Sequence, residues 1–339
     1  MPTKRSKSKK GAKEMKGVLT KEEVAKRGTG TAIRTPLEEF EQNPRDETRA
    51  FMSCVMFLTR LPCPGWCDHH PGHLLRGMAY FPILGALIGI WQAIIYDAAA
   101  SVFGSLVGAG LSFGGTLWLT GCFHEDGLCD TLDAFGGGWS RSQILKIMRD
   151  SRNGSYATVG GCIWVVLKIV AISNIGNHKD AATFSGFFDT MGLTASSIIV
   201  GQSLARATAV PLVYFCDYIT DEEDAKGDFY NWFGESTRVL GWARVCFCIL
   251  TAIVIAMLGL PQQLAVQAMI CTTVFTILAG FYGNAVLGGV IGDFLGATIC
   301  MTELAIYLSI SGEFSNVDFN AMARLALPGT IIFIIYFRK

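Results

Sequence analysis

The chain has 339 residues, 51% of them hydrophobic and only 17% charged, with a mean hydropathy of +0.39. Soluble domains carry about 25% charged residues, so an ordinary water-soluble fold is excluded. The formal charge of zero is a cancellation: residues 1–50 hold thirteen Lys/Arg against eight Asp/Glu, a balance of +5, leaving −5 for the rest. Residues 1–50 lack the apolar run of a signal peptide, so secretion is not expected. They read as a basic, disordered tail on the cytosolic side of a membrane, with residues 51–339 forming the membrane-embedded domain.

Phe51 to Leu61 is amphipathic and suits the membrane interface. Cys63, Cys67, His69, His70 and His73 follow in a loop rich in Pro and Gly. Thiolates and imidazoles can bind zinc, but the spacing matches no common finger, and the alternative is a polar loop beside the membrane. The eleven cysteines are otherwise scattered through apolar runs, which gives no disulfide framework.

Between Gly77 and Phe123 only Asp97 is formally charged. That length holds two spans of about 20 residues each, with a break near Ser101 to Gly104. Further apolar segments lie near residues 156–177, 188–215, 239–260, 263–287, 294–311 and 320–337. The pattern predicts an all-α polytopic bundle of roughly six to eight transmembrane helices, because a backbone in lipid must satisfy its own hydrogen bonds. Two spans from a cytosolic tail return the chain to the cytosol at residue 124, where Arg141, Lys146, Arg149 and Arg152 obey the positive-inside rule.

A cytosol-facing acidic helix is expected from His124-Glu125-Asp126-Gly127-Leu128-Cys129-Asp130-Thr131-Leu132-Asp133. At 100° per residue, Asp126, Asp130 and Asp133 fall within an arc of about 60°. Such a cluster of hard oxygens suits Mg²⁺ or Mn²⁺ with a phosphate as co-ligand; the alternative is a solvated acidic face. Lys146, Arg149 and Arg152 place cations nearby to hold phosphate oxygens; alternatively, Lys146, Arg149 and Asp150 form surface ion pairs on a cytosolic helix. A third segment, Gly288 to Ala297, sets Asp293 among four glycines at the head of a span, where an ionisable residue is a functional candidate.

Together these residues resemble the cobalamin synthase family, the membrane adenosylcobinamide-GDP ribazoletransferases. The resemblance runs through Phe57-Leu58-Thr59-Arg60-Leu61-Pro62, Phe81-Pro82-Ile83-Leu84-Gly85, His124 to Leu128 with Asp130 and Asp133, Leu145 to Ser151, and Gly292-Asp293. Cys129, Ala134, Asn153 and Ala157 depart from the family's usual pattern. The resemblance implies a transferase in which α-ribazole, or its 5′-phosphate, displaces GMP from adenosylcobinamide-GDP, with Mg²⁺ as cofactor. It further implies Glu125, Asp126, Asp130 and Asp133 as metal ligands, with His124 or Glu125 accepting the hydroxyl proton. Lys146 and Arg149 would hold phosphates, oriented by Asp150, with Arg60 and Asp293 at the same face.

The expected partners are these two substrates and the lipid bilayer, with no nucleic acid; assembly as a homo-oligomer is left open. The membrane would be the inner membrane of a bacterium or an organellar membrane of a eukaryote. Two other readings compete. A CDP-alcohol phosphotransferase would use similar acids but a different spacing, and a secondary transporter would put Asp97, Lys168, Arg206, Asp293 and Glu303 along an ion path.

Overall fold

The computed structural model describes residues 47–67, 71–177, 192–219 and 236–312. The described residues contain no strand, only an isolated bridge between Tyr218 and Val290. Apart from its last four residues, the expected tail lies outside the described residues, as does the expected segment 320–337.

Helix α1 (Glu47–Leu58) turns Ala50, Ser53, Cys54 and Leu58 inward, the expected amphipathic face. Helix α2 (Pro71–Gly77) passes through a short 3₁₀ turn into α3 (Phe81–Phe103), and Pro71–Phe103 forms one long apolar unit. Gly104 then breaks the chain, within the stretch where the sequence predicts a break. Helix α4 (Ser105–Thr120) meets the acidic helix α5 (Phe123–Gly137) at 94°. The corner is made by Gly121 and Cys122, both left-handed at φ 69° and 59°, a conformation that glycine takes freely and cysteine rarely. So sharp a turn takes α5 out of the direction of α4.

Helix α6 (Arg141–Met148) is capped by Ser140 and packs on α5. The remaining helices are α7 (Ser155–Asn177), α8 (Gly192–Ala207), α9 (Ala209–Phe215), α10 (Ser236–Gly259), α11 (Gln262–Val286) and α12 (Gly292–Ser311). Six helical units among the described residues are long and apolar enough to cross a membrane, and a seventh exists if the α4–α5 pair is one. The chain is therefore an all-α, multi-pass membrane protein.

Helices α8 and α12 form the centre. In the α8–α9 unit 83% of the most apolar window is buried, and in α12 78%, against 11% in α11. Helix α8 is rich in Ala, Ser and Gly, which lets its neighbours approach closely. Gly89 of α3 illustrates this, since a Cβ there would stand 2.6 Å from the Ile199 Cα.

Polar side chains sit inside this centre. Lys168 of α7 pairs with Glu303 of α12, Nζ to Oε1 2.9 Å, and both are buried. The Lys168 ammonium also lies 4.4 Å from the Phe113 ring centroid and 4.8 Å from that of Trp164. Tyr307 and Gln202 each donate to the same Glu303 oxygen at 2.8 Å, and Gln202 also donates to Gln92 at 2.7 Å. The Arg206 guanidinium donates to the Gln202 side-chain oxygen. Removing one partner of a buried pair strands the other charge, at a cost of about 3–5 kcal/mol. Lys168→Met is therefore expected to destabilise the detergent-solubilised protein on that scale in thermal unfolding. Adding Glu303→Gln to it should recover most of the loss, and a double variant no better than the single one would contradict the pairing.

Candidate active site

The aspartates come from two helices that meet at one end of the bundle. On α5, Asp126 is exposed while Asp130 and Asp133 are partly buried. Asp293 occupies the first turn of α12. Its position is fixed from behind by a two-sided clip: Ile219 donates to the Val290 carbonyl and Val290 to that of Asp217, each at 2.8 Å. From the front, Gly127 allows contact, because a Cβ there would lie 2.8 Å from the Asp293 carbonyl oxygen. That missing side chain brings the two acidic elements together.

The crowding has an electrostatic signature. The Asp130 carboxyl is pushed up to about 6, first by burial and then by Asp126, Asp293 and Asp133. Carboxylates that repel one another and expose hard oxygens fit a divalent cation with phosphate. Among the described residues no three His, Cys, Asp or Glu side chains already stand in metal-ligand geometry. The match to a cation therefore lies in charge and donor type.

The structure separates residues that the sequence placed together. Glu125 follows a different direction from Asp126, and the charges that act on it are Lys168, Glu303 and Arg206. Its Oε2 is buried without a hydrogen-bond partner among the described residues. Asp133 is also committed elsewhere. It accepts hydrogen bonds from the backbone N–H groups of Gly154 and Ala157, the latter at 2.9 Å, and so caps the start of α7. His124 is buried, and burial, Arg206 and Lys168 together hold its imidazole well below the usual histidine range.

Among the basic candidates, Lys146 and Arg149 are exposed at the end of α6, which docks on α5. Asp150 has an ion-pair partner outside the expected set. It binds Arg152 instead, Nη2 to Oδ2 2.6 Å, an exposed pair two residues apart that holds the Asp150 carboxyl at about 2. Arg149 is one residue from Asp150 and Arg152 two, so sequence alone does not tell which cation the carboxylate takes. Arg60 donates its backbone N–H to Leu119 at 2.8 Å and lies over Gly121, at the corner that aims α5. Of the cysteine–histidine loop, Asp68 to His70 lie outside the described residues. The Cys63 thiol donates to the Leu61 carbonyl at 3.6 Å, and His73 is buried in α2.

An all-α membrane bundle in which acids of α5 and α12 are gathered together fits an integral membrane enzyme of the group-transfer kind. The chain belongs to the family described as cobalamin-5-phosphate synthase, which it matches over residues 50–311. It is similar to the adenosylcobinamide-GDP ribazoletransferase of Leptothrix cholodnii, at 34% identity over 77% of this chain and 94% of the relative. The enzymes of the same name from Shewanella amazonensis and Leptospira biflexa are 29% and 28% identical, over 77% and 78% of this chain and 94% and 95% of theirs. No solved structure matches the chain.

The split between Asp133 and the other aspartates can be tested. Loss of a carboxylate cap costs about 0.5–2 kcal/mol, so Asp133→Ala is expected to lower thermal stability by that amount. Asp126→Ala, which only relieves repulsion, should leave stability unchanged or raise it. Equal destabilisation by the two substitutions would remove the capping role.

Proposed function

We propose that this protein transfers the cobinamide phosphate of adenosylcobinamide-GDP to α-ribazole or its 5′-phosphate, releasing GMP. The observation that carries this reading is the convergence of Asp126, Asp130 and Asp293, in a chain of the cobalamin-5-phosphate synthase family whose helix α6, carrying Lys146, packs on α5. A ribazole hydroxyl oxygen forms the new bond to the cobinamide-side phosphorus. The phosphoanhydride bond to the GMP oxygen breaks, and the hydroxyl proton is released.

The cofactor in this reading is Mg²⁺, held by Asp126, Asp130 and Asp293. When bound it neutralises charge on the pyrophosphate oxygens. Lys146 and Arg149 bind the outer phosphate oxygens from α6. Asp133 keeps α5 registered against α7, and Glu125 ties the same helix to the buried charges. His124 and Asp126 lie on opposite sides of α5, and a hydroxyl attacking through a loose phosphoryl transition state needs little assistance from a base. The positive-inside rule sets Arg141, Lys146 and Arg149, and with them the active face, in the cytosol.

Purified protein in detergent, given adenosylcobinamide-GDP and α-ribazole, is expected to release GMP only when a divalent cation is present. Absence of GMP from the complete mixture would overturn the reading. Asp130→Asn should abolish release while leaving membrane insertion intact. The pH dependence follows from the raised Asp130 pKa. A proton on Asp130 competes with the cation, so Mg²⁺ affinity should weaken as pH falls through about 6 and level off above pH 7. Affinity that is flat across this window would separate Asp130 from the metal.

A further inference from the structure

Immediately behind the aspartates lies a cavity of about 190 Å³. Its walls include Phe57, Phe81, Phe123, Met78, Tyr218 and His124. Phe57 and Phe123 meet edge to face, with ring centroids 4.7 Å apart. Among the described residues no Lys, Arg, Asp or Glu lines it, and of these residues only His124 and Tyr218 bring a strong hydrogen-bonding side chain to it. The cavity is continuous in sequence with the acidic cluster on both sides. His124 stands two residues before Asp126, and Gly292, also in the wall, directly precedes Asp293.

These properties select among the parts of the two substrates. Drug-sized ligands need pockets of about 300–1,000 Å³, so the corrin macrocycle is too large. A phosphate is excluded by the absence of a cation. Guanine presents several donors and acceptors on its edges, and a wall with two polar side chains would leave most of them buried and unpaired. Ribazole is a riboside of an aromatic azole, a flat and mostly apolar group with one ring nitrogen left to accept a hydrogen bond. Aromatic edges and faces match such a ring, and His124 or Tyr218 can supply the donor.

We propose that this cavity binds the azole base of the ribazole, with its ribose projecting towards Asp126 and Asp293. The assignment rests on the ribazole-transfer reading above. It gives His124 a binding contact beside the acceptor hydroxyl and explains why an apolar chamber adjoins a charged one.

Ala209 is buried in the cavity wall, and a larger side chain there occupies the space of the ring. One or two methylenes in an apolar pocket change selectivity by about 10–200-fold. Ala209→Leu is accordingly expected to raise the KM for α-ribazole at least about tenfold, while the KM for adenosylcobinamide-GDP moves less than about twofold. Free benzimidazole should inhibit the wild type competitively against α-ribazole and inhibit the variant more weakly. If Ala209→Leu does not fold, Phe57→Ala takes its place. It enlarges the cavity and should shift preference towards ribosides of bulkier azoles, which a purely structural role would not do. An unchanged ribazole KM in Ala209→Leu overturns the assignment. So does a rise confined to the cobinamide substrate, or unaltered azole preference in Phe57→Ala. A wild-type protein that releases no GMP would instead overturn the proposed function itself.

Discussion

The buried pair of Lys168 and Glu303 is the constraint on which the rest of the bundle depends. Neither charge can be left alone in a membrane interior, so α7 and α12 have one relative register in which both are satisfied. Gln202 and Tyr307 use the same Glu303 oxygen, which draws α8 into that register. The two aromatic rings around the ammonium add α4 through Phe113. Four helices are thus indexed by one ion pair and its hydrogen bonds. The head of α12, with Asp293, and the head of α7, with Gly154, are placed as a consequence.

Helix α5 is laid over this indexed set and held mainly at defined points. Asp133 binds the first amides of α7 near one end. Towards the other end, the Gly127 backbone rests on Asp293, and a Cβ at Gly296 would lie 3.3 Å from the His124 carbonyl oxygen. Between them Leu128 is buried among Phe113, Trp164, Ala297, Cys300 and Leu304, with Leu132 packed against the same cluster, and Glu125 adds an electrostatic link to Lys168 and Arg206. Close backbone packing and capping therefore offset the repulsion among Asp126, Asp130 and Asp293. Without those attachments the acidic face would push α5 away from α12.

Much of this was legible in the sequence. The all-α bundle, the break at Gly104, the shared face of Asp126 and Asp130, and the special status of Asp293 all follow from hydropathy and helical geometry. The roles of Glu125 and Asp133 do not. A helical wheel gives directions around one axis but not what stands along them. Glu125 turns inward because Lys168 and Arg206 wait there, more than forty residues away in sequence. Asp133 shares the arc of the other aspartates, yet two free amides at the start of α7 capture it. Asp150 was ambiguous for a local reason, since only the turn after α6 decides between its cationic neighbours. For Glu125 and Asp133 the missing information was a tertiary partner, and for Asp150 it was a turn two residues long.

The consecutive residues His124, Glu125 and Asp126 show how one helical turn serves three environments. His124 faces an apolar cavity, Glu125 the buried charges and Asp126 the exposed acidic cluster. Successive helical residues point about 100° apart, so three neighbours sample most of the circumference. Helix α5, set at 94° to α4, can use this, because its faces meet core, cavity and an exposed acidic cluster. A helix running through the membrane could not, since its outer face would meet lipid and a carboxylate there would be prohibitively costly. The 94° corner at Gly121 and Cys122 is therefore what makes an acidic helix compatible with this membrane fold. It also explains why a left-handed cysteine is tolerated: the strain of one residue is small beside the cost of sinking three aspartates into lipid.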